Sequence, residues 1–504
     1  MDSRGGVESS DLSTSITQTG LEKHAVSTSA PSQEISEILV WWDEPEGEDP
    51  SNPLNWSSHK KWLNIITVSL ISFLVPLVST MLAPAVPLVM ADLGTDSGTF
   101  ATFVVSIFVL GFACGPLVLA PLSELYGRVP LYNTTNVLLV ALTAACALAP
   151  SAPALLALRF LSGFVGVATI TNGSGTIADL MPRERRGRAV AVWSVGTVLG
   201  PTVGPIIGGK VAATAGWRWM FWALAIVLAV ATLLGFAVFR ETYAPVLLER
   251  KAVKLRKETG NPHYQSKLAL RIPPGELFKR SILRPSRLLL LCPIVTVLCS
   301  YVALLYGTLY LLFATYSFAF VEVYNFSTFE AGLVFLPGGL GTLLGLLYLG
   351  IMSDRNLQRR AAAGKTLKPE DRLPLFITLP GALTFPAGLF MYGWGIEGGV
   401  HWMLPLLGTA VTGFGSILIF AGIQTYLIDA FEQYAASAVG ANAVLRGLAG
   451  ALLPLSGLGL YRSLGWGWGN ALLGLLTLAT APIPCIVGIY GAKLRALRVN
   501  QIEL

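Results

Sequence analysis

Long hydrophobic runs alternate with short polar segments along most of the chain. Each run holds roughly 20 residues or more, enough for an α-helix to cross the ~30 Å hydrocarbon core of a bilayer. A large enzyme with one buried core would not give such regular, charge-free blocks, so the pattern predicts an all-α, polytopic membrane protein. The runs predict twelve transmembrane helices, at about 62–89, 98–122, 131–150, 153–180, 189–209, 217–239, 287–320, 328–352, 374–395, 402–428, 435–461 and 468–491.

Polar segments divide these spans into two halves of six. The first 60 residues are acidic, rich in Ser and Thr and free of apolar runs, which is typical of a disordered tail and not of a signal peptide. Two six-span halves around a central loop are typical of secondary transporters. The predicted regions are a disordered cytoplasmic tail at 1–60, the first half at 61–239, a basic cytoplasmic loop at 240–286, the second half at 287–492 and a cytoplasmic tail at 493–504.

The basic residues predict the orientation in the membrane. The formal net charge is +6, although the first 50 residues carry eleven Asp or Glu against two Lys or Arg. One set of alternate loops holds nearly all of the other basic residues, whereas the opposite set holds only Lys210, Arg218 and Arg462. The positive-inside rule therefore places both termini in the cytoplasm. Because the positive charge follows the membrane topology, it does not indicate nucleic-acid binding.

The rarer residue types argue against catalysis. All five cysteines lie in predicted spans without the spacing of a metal site, so we expect them to be small apolar packing residues. The four histidines lie outside the spans. The glycine-rich stretch 204–210 is followed by Val211, which lacks the hydroxyl that a phosphate loop needs for magnesium. We expect no enzyme activity, no metal and no cofactor, and an ion gradient as the energy source.

Glycine recurs every fourth residue in the fifth span. Because four residues make about one helical turn, these glycines form one stripe that a neighbouring helix can approach closely. In water so much Gly and Pro would disfavour a helix, but in a bilayer the backbone has no other partner. The stripe and its flanking residues, which predict a close and bendable helix contact, are Gly196, Gly200, Pro201, Gly204, Pro205, Gly208 and Gly209.

A small residue, an acid and an arginine recur at equivalent turns of the two halves. After span two the chain reads Gly115-Pro-Leu-Val-Leu-Ala-Pro-Leu-Ser-Glu124-Leu-Tyr-Gly127-Arg128, and after span eight it reads Gly350-Ile-Met-Ser-Asp354-Arg355. Both turns lie on the predicted cytoplasmic side, so the two halves echo each other there.

These features together resemble the major facilitator superfamily. The loop at 115–128 is similar to that superfamily's loop between spans two and three, with Glu124 where Asp is commoner. The resemblance implies that this loop forms a latch of charges and a helix dipole between the two halves, made and broken as the transporter rocks. Leu158-Arg159-Phe160, with Gly163 and Gly166, resembles the span-four motif whose buried arginine is linked with proton handling. The stretch 196–209 resembles the span-five motif of exporters that exchange their substrate for protons.

A narrower resemblance is to fungal drug:proton antiporters. It covers about 49–495 and rests on the segment before span one (49–62) and on the stretches 120–128, 216–222 and 441–446. It implies the major facilitator fold and export of drugs, polyamines or self-made toxic metabolites, and no motif specifies the substrate.

Arg159 and Arg446 are the only basic residues well inside the predicted spans. A charge at mid-bilayer costs at least about 2.5–3.5 kcal/mol on insertion scales, so neither should face lipid. One interpretation makes each a structural arginine bonded to backbone carbonyls. In the other, Arg159 tunes a nearby proton site and Arg446 contacts the substrate or the facing half.

Carboxylates for proton coupling are scarce, since span one contains none. Asp179 and Asp429 lie at corresponding inner ends of spans four and ten, and each is either a latch partner for a cytoplasmic arginine or a proton carrier. Proton coupling therefore rests on the resemblance. The expected coupling and gating residues are Arg159, Glu124, Gly127, Arg128, Asp179, Asp354 and Asp429.

One face of span seven carries Tyr306, Tyr310, Phe313 and Ser317. This face is either a packing stripe or a cavity wall that stacks on aromatic or cationic cargo. The residues expected to line a substrate cavity are Asn172, Tyr306, Tyr310, Phe313, Gln424, Tyr426, Asn442 and Arg446. Three prolines in span one, at 76, 84 and 87, predict a bent helix with freed carbonyls. The sequon at Asn325 is a candidate glycosylation site in an external loop.

The sequence thus predicts a secondary active transporter that exports small amphipathic organic molecules in exchange for protons by alternating access. The alternatives are a proton-coupled importer of the same fold and, less favoured, a membrane receptor. The expected partners are a small-molecule substrate, protons and the lipid bilayer. We expect a monomer in the plasma membrane, with the vacuolar membrane as the alternative.

Overall fold

The computed structural model describes residues 38–182, 185–269, 273–364, 368–431 and 434–497, which form a helical bundle. Eleven helical stretches of this part are long and apolar enough to cross a membrane. The last, Ala435–Arg495, has 61 residues, about 90 Å as one helix and three times a hydrocarbon core. Its backbone leaves the helical region at Gly465 (φ 74°, ψ 172°), so it makes two crossings and the bundle has the predicted twelve.

The α-helices of the described residues are numbered in chain order. They are α1 Ser58–Thr80, α2 Val86–Asp92, α3 Gly98–Tyr126, α4 Arg128–Ala147, α5 Ala152–Leu180, α6 Arg186–Ala215, α7 Trp217–Val238, α8 Ala244–Thr259, α9 Pro274–Leu291, α10 Pro293–Tyr324, α11 Thr328–Leu333, α12 Phe335–Ala362, α13 Leu375–Glu397, α14 Met403–Ala430, α15 Ala435–Leu452, α16 Gly457–Thr480 and α17 Pro482–Arg495. The described residues also contain two short strands, β1 Ile38–Val40 and β2 Tyr264–Ser266, and short 3₁₀ helices at Pro53–Asn55, Ala83–Ala85, Pro369–Arg372 and Leu453–Ser456.

Local sequence signals set several helix ends. Ser57 and Ser97 precede α1 and α3, and each side chain accepts a hydrogen bond from a first-turn N–H. Gly127 (φ 99°) and Gly216 (φ 89°) join α3 to α4 and α6 to α7 through a single residue, and such positive φ angles favour glycine. Span seven begins at Pro293 and not at the predicted 287, because α9 continues to Leu291 as a separate helix.

The two halves meet along two sets of helices. In the first, α3 packs on α15, where the Ser106 hydroxyl donates to the Ala451 carbonyl oxygen at 2.9 Å. In the second, α6 packs on α11 and α12, and Gly332 lies directly over the Pro205 carbonyl. Ser106, Ala451 and Pro205 all lie toward the face of the bundle remote from the described chain ends. We call this the opposite face, and the face that carries the chain ends the terminal face.

The end of the predicted disordered tail is folded. Residues 38–57 lie against the central loop, where β1 pairs in parallel with β2 and Lys251 of α8 contacts Asp43 at 2.7 Å and the Trp41 carbonyl at 2.9 Å. Trp42 is buried. The prediction of disorder is therefore wrong for this segment, because its aromatic side chains and the ion pair between Asp43 and Lys251 hold it against the central loop. The rest of the tail, 1–37, lies outside the described residues.

A buried acid organises this folded segment. The Asp49 carboxylate accepts hydrogen bonds from the N–H groups of Asp43 at 2.7 Å and Ser51 at 2.8 Å, and from the Ser51 hydroxyl at 2.5 Å. Burial acts to raise the pKa of Asp49, but these hydrogen bonds and the nearby Lys251 together hold the pKa below its ordinary value. The carboxylate therefore stays ionised at neutral pH and ties the segment to α8.

Candidate functional site

Arg128 is the centre of a polar cluster at the terminal face of the first half. It begins α4, and its side chain reaches α3 and α5. Its Nη1 donates to the Ser123 hydroxyl at 2.7 Å and to Asn172 Oδ1 at 3.0 Å, and its Nε lies 3.4 Å from Asp179 Oδ2. The Tyr243 ring lies 4.9 Å from the guanidinium. We call Arg128, Asp179, Ser123, Asn172 and Tyr243 the Arg128 cluster.

Tyr243 stays neutral in this cluster. Burial is the main reason that its pKa rises to about 12, and the negative charge of Glu124 adds to the rise while Arg128 opposes it. The ring therefore keeps its π face toward the guanidinium across the physiological pH range.

The Glu241 carboxylate caps the turn between α3 and α4, a role that the sequence did not predict. Its carboxylate accepts the N–H groups of Arg128 at 3.0 Å, Val129 at 3.3 Å and both Thr242 and Tyr243 at 3.1 Å. A side chain at Gly127 would collide with this carboxylate. The acid thus satisfies free donors at a helix N-terminus, where negative charge is favourable. The signal for it was an acid placed directly after span six.

The two acids expected to form the latch are placed differently. Glu124 is half-buried near Arg128, but it makes no hydrogen bond or ion pair with the described residues. Asp354 is exposed and likewise has no such partner in the described part of the chain. Asp179 is the acid that contacts Arg128, and the Thr242 hydroxyl also donates to it at 3.2 Å.

The second half carries a corresponding cluster at the same face. Asp429, at the end of α14, contacts Arg372 at 2.7 Å, just as Asp179 at the end of α5 contacts Arg128. Glu370 and Asp371 add ion pairs to Arg495 at 2.8 Å and Arg360 at 2.7 Å. Each half therefore closes its terminal face with its own acid–arginine contacts.

Two residues expected in a cavity lie in these terminal clusters. Asn172 is 3% exposed and bonded to Ser123 and Arg128. Tyr426 is fully buried, and its hydroxyl lies with the Glu370 carboxylate around Gly491. The prediction that Asn172 and Tyr426 line a substrate cavity is therefore corrected. A polar residue type alone does not tell whether a side chain lines a cavity or joins a polar cluster at a helix end.

Arg159 is completely buried and donates to three backbone carbonyls. Its Nη1 and Nη2 reach Val78 at 2.7 Å and Ser79 at 2.6 Å, and its Nε reaches Val104 at 3.2 Å. Its guanidinium also lies 4.9 Å from the Phe108 ring. Val78 and Ser79 belong to the last turn of α1, where the helix ends before Pro84 and leaves carbonyls without helical donors. This is the geometry of the structural interpretation of Arg159.

In the described part of the chain, Arg446 lies against aromatic rings and forms no ion pair with an acid. Its guanidinium lies 4.7 Å from both the Tyr306 and the Phe420 rings, on α10 and α14. One turn away, the Asn442 amide donates to Gln424 Oε1 at 2.8 Å. These five residues, Tyr306, Phe420, Gln424, Asn442 and Arg446, come from α10, α14 and α15 and are called the Arg446 pocket below.

The rest of the span-seven face is mainly packing. Tyr310 lies 4.9 Å from the Tyr306 ring and 5.5 Å from the Phe313 ring, and Phe313 contacts Phe335 of α12 at 5.7 Å. Ser317 is buried. Of this face, Tyr306 is the residue that reaches the Arg446 pocket.

The glycine stripe of α6 packs on α1 in exact register with its backbone. A Cβ at Gly196 would lie 3.1 Å from the Ser69 carbonyl oxygen, and one at Gly200 or Gly204 would lie 2.7 Å from that of Phe73 or Leu77. Gly208 faces the Met81 carbonyl in the same way. Successive contacts are four residues apart on both helices, so each glycine of the stripe faces a successive turn of α1.

A carbonyl freed by a proline of α6 also contacts α1. Pro205 has no N–H, so the Pro201 carbonyl lacks its helical donor. The Thr80 hydroxyl of α1 lies 3.2 Å from that carbonyl and supplies a donor. On another side of α6, Gly209 lies against Thr328 and Phe329 of the second half. The helix thus touches both its own half and the facing half.

Asn325 ends α10 in a left-handed conformation (φ 53°) and is exposed. Only Phe326 and Ser327 separate it from α11, and Ser327 is engaged as the N-cap of that helix. Glycosylation of Asn325 stays a prediction.

Twelve crossings in two six-helix halves, with matched polar clusters at one face, define a membrane transporter of the secondary type. Comparison with known sequences agrees. Residues 68–454 match the Major Facilitator Superfamily. The chain is 47% identical to the efflux pump radE of Floropilus chiversii over 469 residues, 92% of this chain and 86% of that protein. It is 43% identical to the MFS transporter cpaT of Aspergillus oryzae over 485 residues, 96% of each.

Solved structures show the same fold. The xylose transporter XylE from E. coli, in a partially occluded inward open conformation, matches 89% of this chain and all of its own with a TM-score of 0.64 at 15% identity. A bacterial homolog of the human lysosomal transporter Spinster matches 89% of this chain and all of its own with a TM-score of 0.59 at 16% identity. The chain belongs to the major facilitator superfamily.

Proposed function

We propose that this transporter exports small amphipathic organic molecules, such as toxins or secondary metabolites, in exchange for protons. The observation that carries the proposal is the double contact of α6, whose glycine stripe packs on α1 while Gly209 meets the facing half. A helix built this way can transmit movement of one half to the other. The relative radE, which is named an efflux pump, supports the outward direction.

Alternating access follows from where the halves touch. The contacts of α3 with α15 and of α6 with α11 hold the opposite face together. The acid–arginine contacts at the terminal face are made within each half. Separation of the opposite face would release the substrate on that side, and the terminal clusters would keep each half rigid during the movement.

The proton site is proposed at the Arg128 cluster. Glu124 and Asp179 both lie near one arginine, and only Asp179 contacts it. When one of two acids beside the same arginine takes up a proton, the arginine can leave that acid and contact the other one. The terminal face is then the cytoplasmic face, as the basic loops favour. We propose a monomer in the plasma membrane, with the vacuolar membrane as the alternative.

The test is transport by everted vesicles from cells that lack their own exporters. A proton gradient with an acidic vesicle lumen should drive accumulation of candidate metabolites, because a proton leaves the lumen as the metabolite enters, and an uncoupler should abolish it. Glu124→Gln should weaken the dependence on the gradient, whereas Asp354→Asn, which changes an exposed acid without a described partner, should not. Accumulation only in right-side-out vesicles would make the protein an importer and overturn the proposal.

A further inference from the structure

We propose that the Arg446 pocket binds the ionised acidic group of an aromatic organic acid, so that the transported molecules are amphipathic weak acids and not polyamines. This inference rests on the proposed export function and names the substrate class of the same transporter.

The first step is the state of Arg446. It is half-buried inside the bundle and has no ion pair and no hydrogen bond among the described residues. The two aromatic rings hold the cation in place, but neither accepts its in-plane N–H groups. A guanidinium offers five donors in a planar fork that matches a carboxylate or another oxyanion. The pocket therefore has a positioned cation with open donor capacity.

The second step is an unpaired acceptor beside it. Asn442 is 1% exposed, lies one helical turn before Arg446 and so shares its face of α15. Its Nδ2 donates to Gln424, but its Oδ1 has no hydrogen-bond partner among the described residues. A buried carbonyl oxygen without a donor is costly, and a hydroxyl or N–H of a bound molecule would satisfy it. The pocket is therefore complementary to a ligand that carries an oxyanion and a neighbouring hydrogen-bond donor.

The third step is the charge of the bundle interior. Arg159 is the other arginine deep in the described bundle, and it is bonded to carbonyls and paired with no acid. The described acids of the spans lie near helix ends and leave this region positive. Such a region attracts an anion and repels a polyamine.

The fourth step is the apolar wall. Tyr306 and Phe420 flank the cation with aromatic surface, and the Tyr310 ring packs behind Tyr306 at 4.9 Å. An aromatic ring attached to the acidic group would stack there while its oxyanion meets Arg446. The arrangement favours a molecule that is aromatic on one side and acidic on the other.

Binding to purified protein in detergent tests the pocket directly. The probes are 1-naphthoate, the neutral 1-naphthamide of the same shape, and spermidine, followed by calorimetry. Wild-type protein should bind naphthoate at least about tenfold more tightly than naphthamide, because hydrogen bonds to an ionised group are the stronger ones. Spermidine should not compete. Equal binding of the two naphthyl probes, or competition by spermidine, would overturn the proposal.

Variants locate the effect. Arg446→Gln should weaken naphthoate binding about tenfold or more while naphthamide binding is unchanged, and Arg446→Lys should fall between. Arg462→Gln, which removes an exposed arginine outside the pocket, is the matched control and should bind like wild type. If Arg446→Gln does not fold, Asn442→Asp supplies the same test, since a carboxylate beside Arg446 would compete with naphthoate. Unchanged naphthoate binding in a folded variant would contradict the assignment.

The outcome separates the two proposals. Arg446-dependent binding of naphthoate without export by everted vesicles would refute the export function and keep the pocket. Proton-driven export of a neutral metabolite that persists in Arg446→Gln would refute the pocket and keep the export function.

Discussion

Single residues in this transporter show how one charge can serve different purposes in a membrane. Arg159 is fully buried and gives its donors to Val78, Ser79 and Val104, so its charge is spread over backbone dipoles of two helices. Arg446 gives no hydrogen bond to the described residues and is held by rings. The same residue type is thus a brace in one half and an open binding group in the other.

Removal of the Arg159 brace should destabilise the protein. Arg159→Ala would leave the Val78 and Ser79 carbonyls in the last turn of α1 without donors, at a cost of roughly 1–3 kcal/mol each, and would remove the bond to the Val104 carbonyl of α3. Arg159→Lys should also be destabilising, because one ammonium cannot reach carbonyls on both α1 and α3. Thermal unfolding in detergent measures this, with Arg446→Ala as the control that should lose less. An unfolding temperature for Arg159→Ala equal to that of wild type would contradict the structural role.

Glu241 gives a second prediction at this scale. Glu241→Ala should raise hydrogen exchange at the N–H groups of Arg128 and Val129, since their acceptor is lost, at a cost of about 1–2 kcal/mol typical of a helix cap. Glu124, the acid expected from the sequence, accepts a hydrogen bond from neither N–H group. Glu124→Ala should therefore leave hydrogen exchange at Arg128 and Val129 unchanged. Equal effects of the two variants would show that the cap does not depend on Glu241.

At the scale of elements, the close contact of α6 could be predicted from sequence, but its partner could not. Glycine at every fourth position predicts a groove on one face, because the side chains are missing there. Nothing in that spacing names α1 as the helix that fills the groove, or places Gly209 against the second half. Partner choice depends on the packing of the whole bundle.

The glycine stripe should tolerate no larger residue. A Cβ at Gly200 would lie 2.7 Å from the Phe73 carbonyl oxygen and 3.0 Å from Pro76, so Gly200→Leu must push α1 away. Overpacking of this kind costs about 1–3 kcal/mol or more. We expect transport to be lost while delivery to the membrane is retained, measured by vesicle transport and surface labelling. Gly187→Ala, on the same helix with open space around it, is the control. Full transport by Gly200→Leu would remove the need for close packing.

For the whole molecule, hydropathy predicted the twelve crossings because lipid forces every backbone group into a helix. It did not predict the docking of 38–57 on the central loop, since three-residue strands more than 200 positions apart leave no periodic signal. Residue type placed Asn172 and Tyr426 in a cavity, whereas both lie at the terminal face. Polar residues near helix ends have several possible partners, and only the packed bundle selects among them.

The contact between the halves at the opposite face supports a last prediction about movement. Ser106 of α3 and Ala451 of α15 meet there across the two halves. Thiol cross-linking of Ser106→Cys with Ala451→Cys, in a background without the native cysteines, should stop transport, because the opposite face could not open. Reduction of a cleavable linker should restore it.

A link within one half provides the comparison for this experiment. Native Cys146 of α4 lies beside Ser162 of α5, and both belong to the first half. Ser162→Cys, with Cys146 retained as its partner, joins two helices that move together in a rocking mechanism, so the linked protein should keep most of its transport. If the link between halves left transport intact, the halves would not separate at α3 and α15, and the rocking movement would have to occur elsewhere. If both links stopped transport, helices within one half would also have to move, and rigid halves would be the wrong description.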